Sequence, residues 1–397
     1  MANILGVNTG NKTWSEATDA ISSFYNDEQS HLLVTPNPEI ILTAINDEEL
    51  FYILNKADLS LADGFGLKIA ALLSGQQLHR VTGADLLPHL LSEAESNQRK
   101  IVIINRQDGL SSAEDIYRAI TKKYPHLKAK VLDSNQTEKP SREEIEIIRK
   151  FQPALAICLL GSPYQEKYIY HLSVALNKIS LLTGLGGAFD FITGKIKRAT
   201  TPWRRLGLEW LWRLIQQPSR WRRIWQATAV FTTKVLHWIF ILPNLYRPNV
   251  AIILFRKNGA EREVLIVERQ GETGHWQLPQ GGLDGLDIEA SGLKELEEET
   301  GVTNVRVNAI YKNLYKYSFN KELGKYFNPN SKRHFGYKGQ RQSLLIAEFL
   351  GKDEEIKINH WDHQAWRWVA ESRLIESIHT CRREACKIYI QKLIEMK

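Results

Sequence analysis

The chain has 397 residues, 43% hydrophobic and 24% charged, with a formal net charge of +7 and a pI near 9.1. That length suits two cores rather than one, and the apolar share is enough to fill both, which excludes a disordered chain. Three cysteines, Cys158, Cys381 and Cys386, exclude a disulfide framework and offer no second pair to complete a zinc site, so free thiols in a reducing compartment are expected.

The amino terminus, Met1-Ala-Asn-Ile-Leu-Gly, has neither a basic start nor a long apolar stretch, so a cytoplasmic location is expected. Apolar, β-rich runs follow at His31 to Val34, Lys100 to Asn105, Lys128 to Leu132, Ala154 to Leu160 and Lys178 to Leu182. Helix-like stretches such as Ser111 to Tyr124 and Ser141 to Phe151 separate them. This alternation predicts an α/β, Rossmann-like domain with a mostly parallel sheet and flanking helices, binding ligands beyond the carboxyl ends of its strands.

The unusual loops fall at those ends: Thr35-Pro-Asn-Pro-Glu39, Ala62-Asp-Gly-Phe-Gly66, Arg80-Val-Thr-Gly-Ala-Asp85, Gly161-Ser-Pro-Tyr-Gln-Glu-Lys167 and Gly184-Leu-Gly-Gly-Ala-Phe-Asp190. Singly each has a structural explanation, Thr82 with Asp85 as a helix cap or Gly186-Gly187 as a turn. As a set, with Arg205-Leu-Gly-Leu-Glu-Trp-Leu211 and Pro218-Ser-Arg-Trp-Arg-Arg223, they resemble the WecG/TagA/CpsF glycosyltransferase family over residues 1 to about 226. The resemblance implies inverting, metal-independent transfer of an N-acetylmannosamine-type or related sugar from a UDP donor to a polyprenyl-diphosphate-linked acceptor. It implies Asp63 as the base for the acceptor hydroxyl. Arg80 and the amides near Thr82 would offset the charge of departing UDP, and Thr35, Asn37 and Gln165 would orient the donor. Asn105-Arg106 departs from the family's usual Gly-Gly turn.

Lys195, Lys197, Arg198, Arg204, Arg205, Arg213, Arg220, Arg222 and Arg223 are interleaved with Trp203, Trp210, Trp212, Trp221 and Trp225. Three readings stand. This is an element lying on the inner, anionic face of the cell membrane, with Arg220 and Arg223 also meeting the substrate diphosphate. It is an RNA-binding patch. Or the tryptophans are core and the arginines a solvated face. The apolar run from Thr228 to Leu242 is interrupted by Lys234 and His237 and falls short of the roughly 20 residues a spanning helix needs, so a linker or interfacial helix over 228–243 is expected between domains at 1–227 and 244–397.

In the last two fifths of the chain, Pro279-Gln-Gly-Gly precedes Leu293-Lys-Glu-Leu-Glu-Glu-Glu-Thr-Gly-Val302. Glu295, Glu298 and Glu299, at i, i+3 and i+4, share one helical face, and an oxygen-seeking cation would relieve their repulsion. This stretch resembles the Nudix box, and the flanks Tyr246-Arg-Pro-Asn-Val250, Gly339-Gln-Arg-Gln342 and Trp366-Arg-Trp-Val369 resemble its RNA pyrophosphohydrolase and diadenosine polyphosphate hydrolase branch. The resemblance implies an α/β/α fold and hydrolysis of a nucleotide or polyphosphate at a diphosphate bond. Mg²⁺, with Mn²⁺ as the alternative, would be held by Glu295, Glu298, Glu299 and Asp362. Glu298 and Glu299 would be catalytic, Asp362 would assist a water, Arg247 and Gln342 would face phosphates, and Tyr317 the base or sugar. Two positions depart: Lys294 stands for the family's Arg, and Leu286 for the Glu that pairs with it, with Asp287 or Glu289 as candidate substitutes. A nucleotide-sensing module without turnover is the alternative reading.

Overall fold

In the computed structural model, which describes residues 1–259, 261–283, 285–319 and 336–396, the expected strands form at His31–Val34 (β3), Ile101–Arg106 (β5), Ala129–Ser134 (β6), Leu155–Cys158 (β7) and Leu181–Gly184 (β8). Together with a two-residue strand at Leu59–Ser60 (β4) they make a six-stranded sheet in the order β4-β3-β8-β7-β5-β6, every pairing parallel. A parallel sheet needs both faces covered, and the sequence supplies apolar residues at odd and even positions alike. Ile101, Ile103, Leu155 and Ile157 fill the core on one face, and Val102, Ile104, Ala156 and Cys158 the core on the other. Ser112 and Ser141 form capping boxes that start the helices Ala113–Lys123 and Arg142–Phe151. A cap contributes about 1 kcal/mol and each fully buried Leu or Ile about 1.5–3 kcal/mol, so the caps set where helices begin while burial holds them to the sheet. A short antiparallel hairpin, Ala2–Ile4 (β1) and Val7–Thr9 (β2), precedes the sheet and was not legible from the alternation.

The chain divides into two compact units, Met1–His237 and Trp238–Lys397. The expected linker is thus not free chain. Phe231 and Val235 are buried within the first unit, whereas Trp238 is buried in the second, close enough to Gly336 that a Cβ there would lie 2.5 Å from its ring. Among the described residues no helix is long and apolar enough to cross a membrane.

The second unit is a mixed seven-stranded sheet: Tyr246–Asn258 (β9), Glu261–Arg269 (β10), Trp276–Gln277 (β11), Gln280–Gly282 (β12), Val305–Ser318 (β13), Gly339–Phe349 (β14) and His363–Ala370 (β15). β9 and β14 run parallel at its centre. Strand alternation sorts the residues of β9: Val250, Ile252 and Leu254 share a core with Leu296 of the helix Ile288–Thr300. Ala251, Ile253 and Phe255 share the opposite core with Tyr389 and Leu393 of the helix Arg383–Ile394. Helix, sheet and helix form three layers, the α/β/α arrangement expected.

Candidate active sites

In the first unit two cavities of about 320 Å³ each open at the carboxyl ends of the parallel strands and share Asp63 in their lining. Past β4 the chain stays extended, with Leu61 and Asp63 donating backbone N–H groups to Val34 and Pro36 at 2.9 Å each. Gly64 then turns at φ +113°, a conformation that costs glycine little, and this leaves Asp63 half-buried between the cavities. Its Oδ2 accepts from the Gly83 N–H at 3.2 Å, the first residue of the helix Gly83–Ser96. Burial pushes the Asp63 carboxyl up to about 6, and Glu209 adds to the rise; the Gly83 hydrogen bond and Arg213 and Arg80 oppose it without prevailing.

The first cavity is polar, lined by Thr35, Asn105, Arg106, Gln165 and the turn Gly184 to Asp190. Gln165 is buried, donates to Glu166 Oε1 at 2.7 Å and accepts from the Gly186 N–H at 2.9 Å. Asn37, which lines both cavities, caps the helix Pro38–Ala44 through its Oδ1. The departure at Asn105-Arg106 falls on this wall: Asn105 is buried and donates to Asp133 at 2.8 Å, while Arg106 is forked onto Asp108 at 2.6 and 2.7 Å. The second cavity is more apolar, lined by Phe65, Ile69, Trp210, Ile224 and Phe231 together with Arg80.

Where the cavities meet stand Arg213, Arg220 and Arg223. Arg220 is depressed to about 10 by burial and by its two arginine neighbours, which still leaves it charged at neutral pH. Arg223 is forked onto Glu39 at 2.7 and 3.0 Å. Arg213 was not singled out as a site residue from the sequence. Its signal was the spacing of 213, 220 and 223, close to whole turns of a helix, which the turn at Gln217-Pro218 obscured. Two expectations change. The first amide of the Gly83–Ser96 helix donates to Asp63, and the Thr82 hydroxyl caps that helix while accepting from Arg198, so these groups already have partners within the protein. Arg80 donates to the Arg204 carbonyl at 3.4 Å and lies 4.0 Å from Glu209, on the second cavity only.

The Trp/Arg segment resolves in part. Trp210, Trp221 and Trp225 are 40%, 57% and 61% exposed, so these three are not core. Trp203 and Trp212 pack against each other, and the Trp212 indole N–H donates to the Lys197 carbonyl at 3.0 Å.

In the second unit, the helix Ile288–Thr300 starts at Asp287, whose side chain caps it, and ends at Gly301 in the left-handed conformation. Glu295 and Glu299 are buried and Glu298 is half-exposed. A Cβ on Gly281 would lie 1.7 Å from the Glu295 carboxyl carbon, so only glycine leaves room for that carboxylate. Glu299 accepts from the Gln280 N–H at 3.1 Å and lies 3.3 Å from His363 Nε2. Burial raises the Glu299 carboxyl above its ordinary range despite His363. Asn359 ties the helix to the acidic loop, donating to the Glu298 carbonyl at 3.0 Å and to Asp362 Oδ2 at 3.2 Å. Two buried carboxylates on one helical face, with Asp362 beside Glu299, form an oxygen donor set that fits a hard divalent cation.

The remaining predicted residues divide. Gln342 is buried, donates to Asn249 at 2.9 Å and Gln280 at 2.8 Å, and accepts from Tyr389 at 2.9 Å. It supports the β12 backbone that holds Glu299. The Tyr317 hydroxyl donates to Gln340 at 2.5 Å and accepts from Arg382 at 2.8 Å. Arg247 is half-buried on β9 opposite Gln340. Lys294 pairs with Glu298 at 3.3 Å, while Leu286 is 48% exposed and Asp287 serves as the cap.

Comparison with known proteins agrees with this division. Residues 2–244 match the glycosyl transferase WecG/TagA/CpsF family and residues 245–386 the NUDIX domain. An N-acetylglucosaminyldiphosphoundecaprenol N-acetyl-beta-D-mannosaminyltransferase of Bacillus subtilis is 30% identical over 216 residues, covering 54% of this chain and 83% of that protein. Its Staphylococcus aureus namesake (strain MW2) is 26% identical over 230 residues, 57% of this chain and 88% of that one. An RNA pyrophosphohydrolase of Wolbachia pipientis subsp. Culex pipiens is 35% identical over 157 residues, 37% of this chain and 88% of that one. The chain therefore belongs to the WecG/TagA/CpsF glycosyltransferase family through its first unit and to the Nudix family through its second, two families of enzymes.

Proposed function

We propose that the first unit transfers an N-acetylmannosamine-type sugar, with inversion, from a UDP donor to a polyprenyl-diphosphate-linked acceptor, and that the second hydrolyses a nucleoside diphosphate linkage with Mg²⁺. The observation that carries the first half is Asp63 on the wall shared by a polar and an apolar cavity, with three arginines at the junction. The polar cavity suits a nucleotide sugar, oriented by Thr35, Asn37 and Gln165, and the apolar one the lipid-linked acceptor. Asp63 takes the proton of the acceptor hydroxyl as its oxygen bonds to the anomeric carbon from the face opposite the diphosphate. The bond from that carbon to the diphosphate oxygen breaks, and UDP leaves with its charge offset by Arg213, Arg220 and Arg223. Exposed Leu206, Ile215, Trp221 and Trp225 beside Arg222 suit peripheral docking on an anionic membrane surface, where such an acceptor resides. The mannosaminyltransferase relatives support both substrate classes.

In the second unit, Glu295, Glu298 and Glu299 would hold the cation, and Asp362 would accept a proton from the attacking water. Bound Mg²⁺ supplies charge neutralisation and polarisation of the diphosphate. The RNA pyrophosphohydrolase relative favours a nucleotide or 5′-triphosphate RNA as substrate. A second reading, nucleotide sensing without turnover, is favoured by the Lys294–Glu298 pair and the exposed Leu286, because the support that orients this helix elsewhere in the family is altered.

For the transferase, purified protein is incubated with UDP-N-acetylmannosamine and a lipid-diphosphate-N-acetylglucosamine analogue; release of UDP is expected, and its absence across a panel of UDP-sugars counts against the assignment. For the hydrolase, Mg²⁺-dependent release of phosphate or diphosphate from dinucleoside polyphosphates and 5′-triphosphate RNA is expected. Tight nucleotide binding without release selects the sensing reading instead.

A further inference from the structure

A cluster outside both sites brings His275, in the turn before β11, together with His379 and Cys381, about a hundred residues later in the segment leading into the Arg383–Ile394 helix. One donor atom from each lies within 4.8 Å of the other two. His379 Nδ1 is 3.1 Å from Cys381 Sγ, and His275 Nε2 is 4.0 Å from the same sulfur. A tetrahedral ion with bonds of about 2.0–2.3 Å sets such atoms roughly 3.3–3.6 Å apart, so the two separations bracket the required spacing. We propose that His275, His379 and Cys381 form a three-ligand site for a borderline-soft transition metal of the zinc class.

A second observation points the same way. Glu272 Oε2 lies 2.7 Å from His275 Nδ1, so the carboxylate holds a proton on that nitrogen and turns the Nε2 lone pair toward the cluster. His379 Nδ1 accepts from the Cys381 backbone N–H at 3.5 Å and is therefore also a lone-pair nitrogen. Arg269, Arg382 and Arg383 face the cluster and oppose a cation; the thiolate formed on binding and the Glu272 carboxylate offset them. Binding breaks the S–H bond, forms the metal–sulfur bond and releases the thiol proton to solvent. The two rings are stacked at 4.1 Å and 10°, so one ring turns when both lone pairs meet a single ion. Imidazole with thiolate selects zinc or copper over magnesium, so this site and the carboxylate face would take different ions. A loaded site ties the turn at 270–275 to the start of the C-terminal helix, already linked by the His379 N–H to the Trp276 carbonyl at 2.9 Å. The same turn reaches the acidic loop, because the Gln270 N–H donates to the Asp362 carbonyl at 2.8 Å.

The test uses the full chain, stripped with a chelator and titrated with Co²⁺. One equivalent should produce a thiolate-to-cobalt charge-transfer band, displaced by Zn²⁺ and indifferent to Mg²⁺. Cys381→Ser should abolish the band, His275→Gln and His379→Gln should weaken binding at least about tenfold, and Glu298→Gln should leave the band intact. Far-UV circular dichroism checks that each variant folds. Absence of the band in the folded chain, or its survival in Cys381→Ser, overturns the site. The unaltered protein gives a second readout, since Zn²⁺ should protect Cys381 from alkylation. Equal alkylation rates with and without Zn²⁺ also overturn it.

Discussion

In the proposed reactions the two units meet the same problem, the charge of a diphosphate, with opposite means. The first surrounds one carboxyl, Asp63, with Arg213, Arg220 and Arg223. The second presents Glu295, Glu298 and Glu299 on one helical face, where the proposed cation would reverse the sign. In both, burial lifts a key carboxyl above its ordinary range, Asp63 to about 6 and Glu299 upward despite His363. The difference lies in what opposes the rise: at Asp63 the cations are fixed side chains, Arg213 and Arg80, whereas at Glu299 the proposed counter-charge would be a bound metal. Electrostatic preorganisation by the chain and by an ion are thus two routes to one end.

That contrast predicts a separation of effects. The largest concerns Asp63: Asp63→Asn should lower kcat for sugar transfer by about 10²–10⁴-fold while leaving phosphate release by the second unit unchanged, since a general base contributes on that scale. Loss of both activities together would break the comparison. Gly281→Ala should do the reverse. Its methyl would lie 1.7 Å from the Glu295 carboxyl carbon, so the carboxylate must move; Mg²⁺-dependent hydrolysis should fall at least about 100-fold, and an overpacking cost of about 1–3 kcal/mol should appear in thermal unfolding. Arg213→Ala should reduce kcat/KM for transfer by about 10–100-fold, mainly through the departing diphosphate, measured with UDP-sugars. An equal effect on donor and acceptor KM with kcat intact would assign it to binding alone.

The pH profile sharpens the same point at smaller amplitude. Asp63 must be ionised to act as base, so kcat/KM for transfer should rise about tenfold per pH unit below about 6 and level above it. The same raised value makes Asp63 a stabilising group only when protonated: its contribution is full below its ordinary 3.8 and is lost as pH rises through about 6. Asp63→Asn should therefore melt at a higher temperature than the unaltered chain above pH 6 and not below pH 4. Equal melting temperatures at pH 7 would show that the carboxyl is not desolvated.

The parallel sheet was legible because its strands are continuous apolar runs of β-branched residues bounded by turn signals, and such runs report only on themselves and their neighbours. The hairpin at Ala2–Ile4 and Val7–Thr9 was not, because strands of three residues carry too little pattern. The carboxylate face was legible for a similar reason, since i, i+3, i+4 spacing is a local property of one helix. The partners of Gln342 and Tyr317 were not legible, because an amide or phenol in a strand carries no sign of which side chains from other elements it meets.

By itself, the sequence determined two α/β domains, a base-bearing loop, an arginine-rich tail and an acidic helix, all of them patterns within one segment. Only tertiary structure decided that Arg213 joins Arg220 and Arg223 at Asp63, that Gly281 makes room for Glu295, and that His275 meets His379 and Cys381. Each of these is a meeting of side chains from separate elements, and the packing of those elements fixes such distances where local spacing cannot.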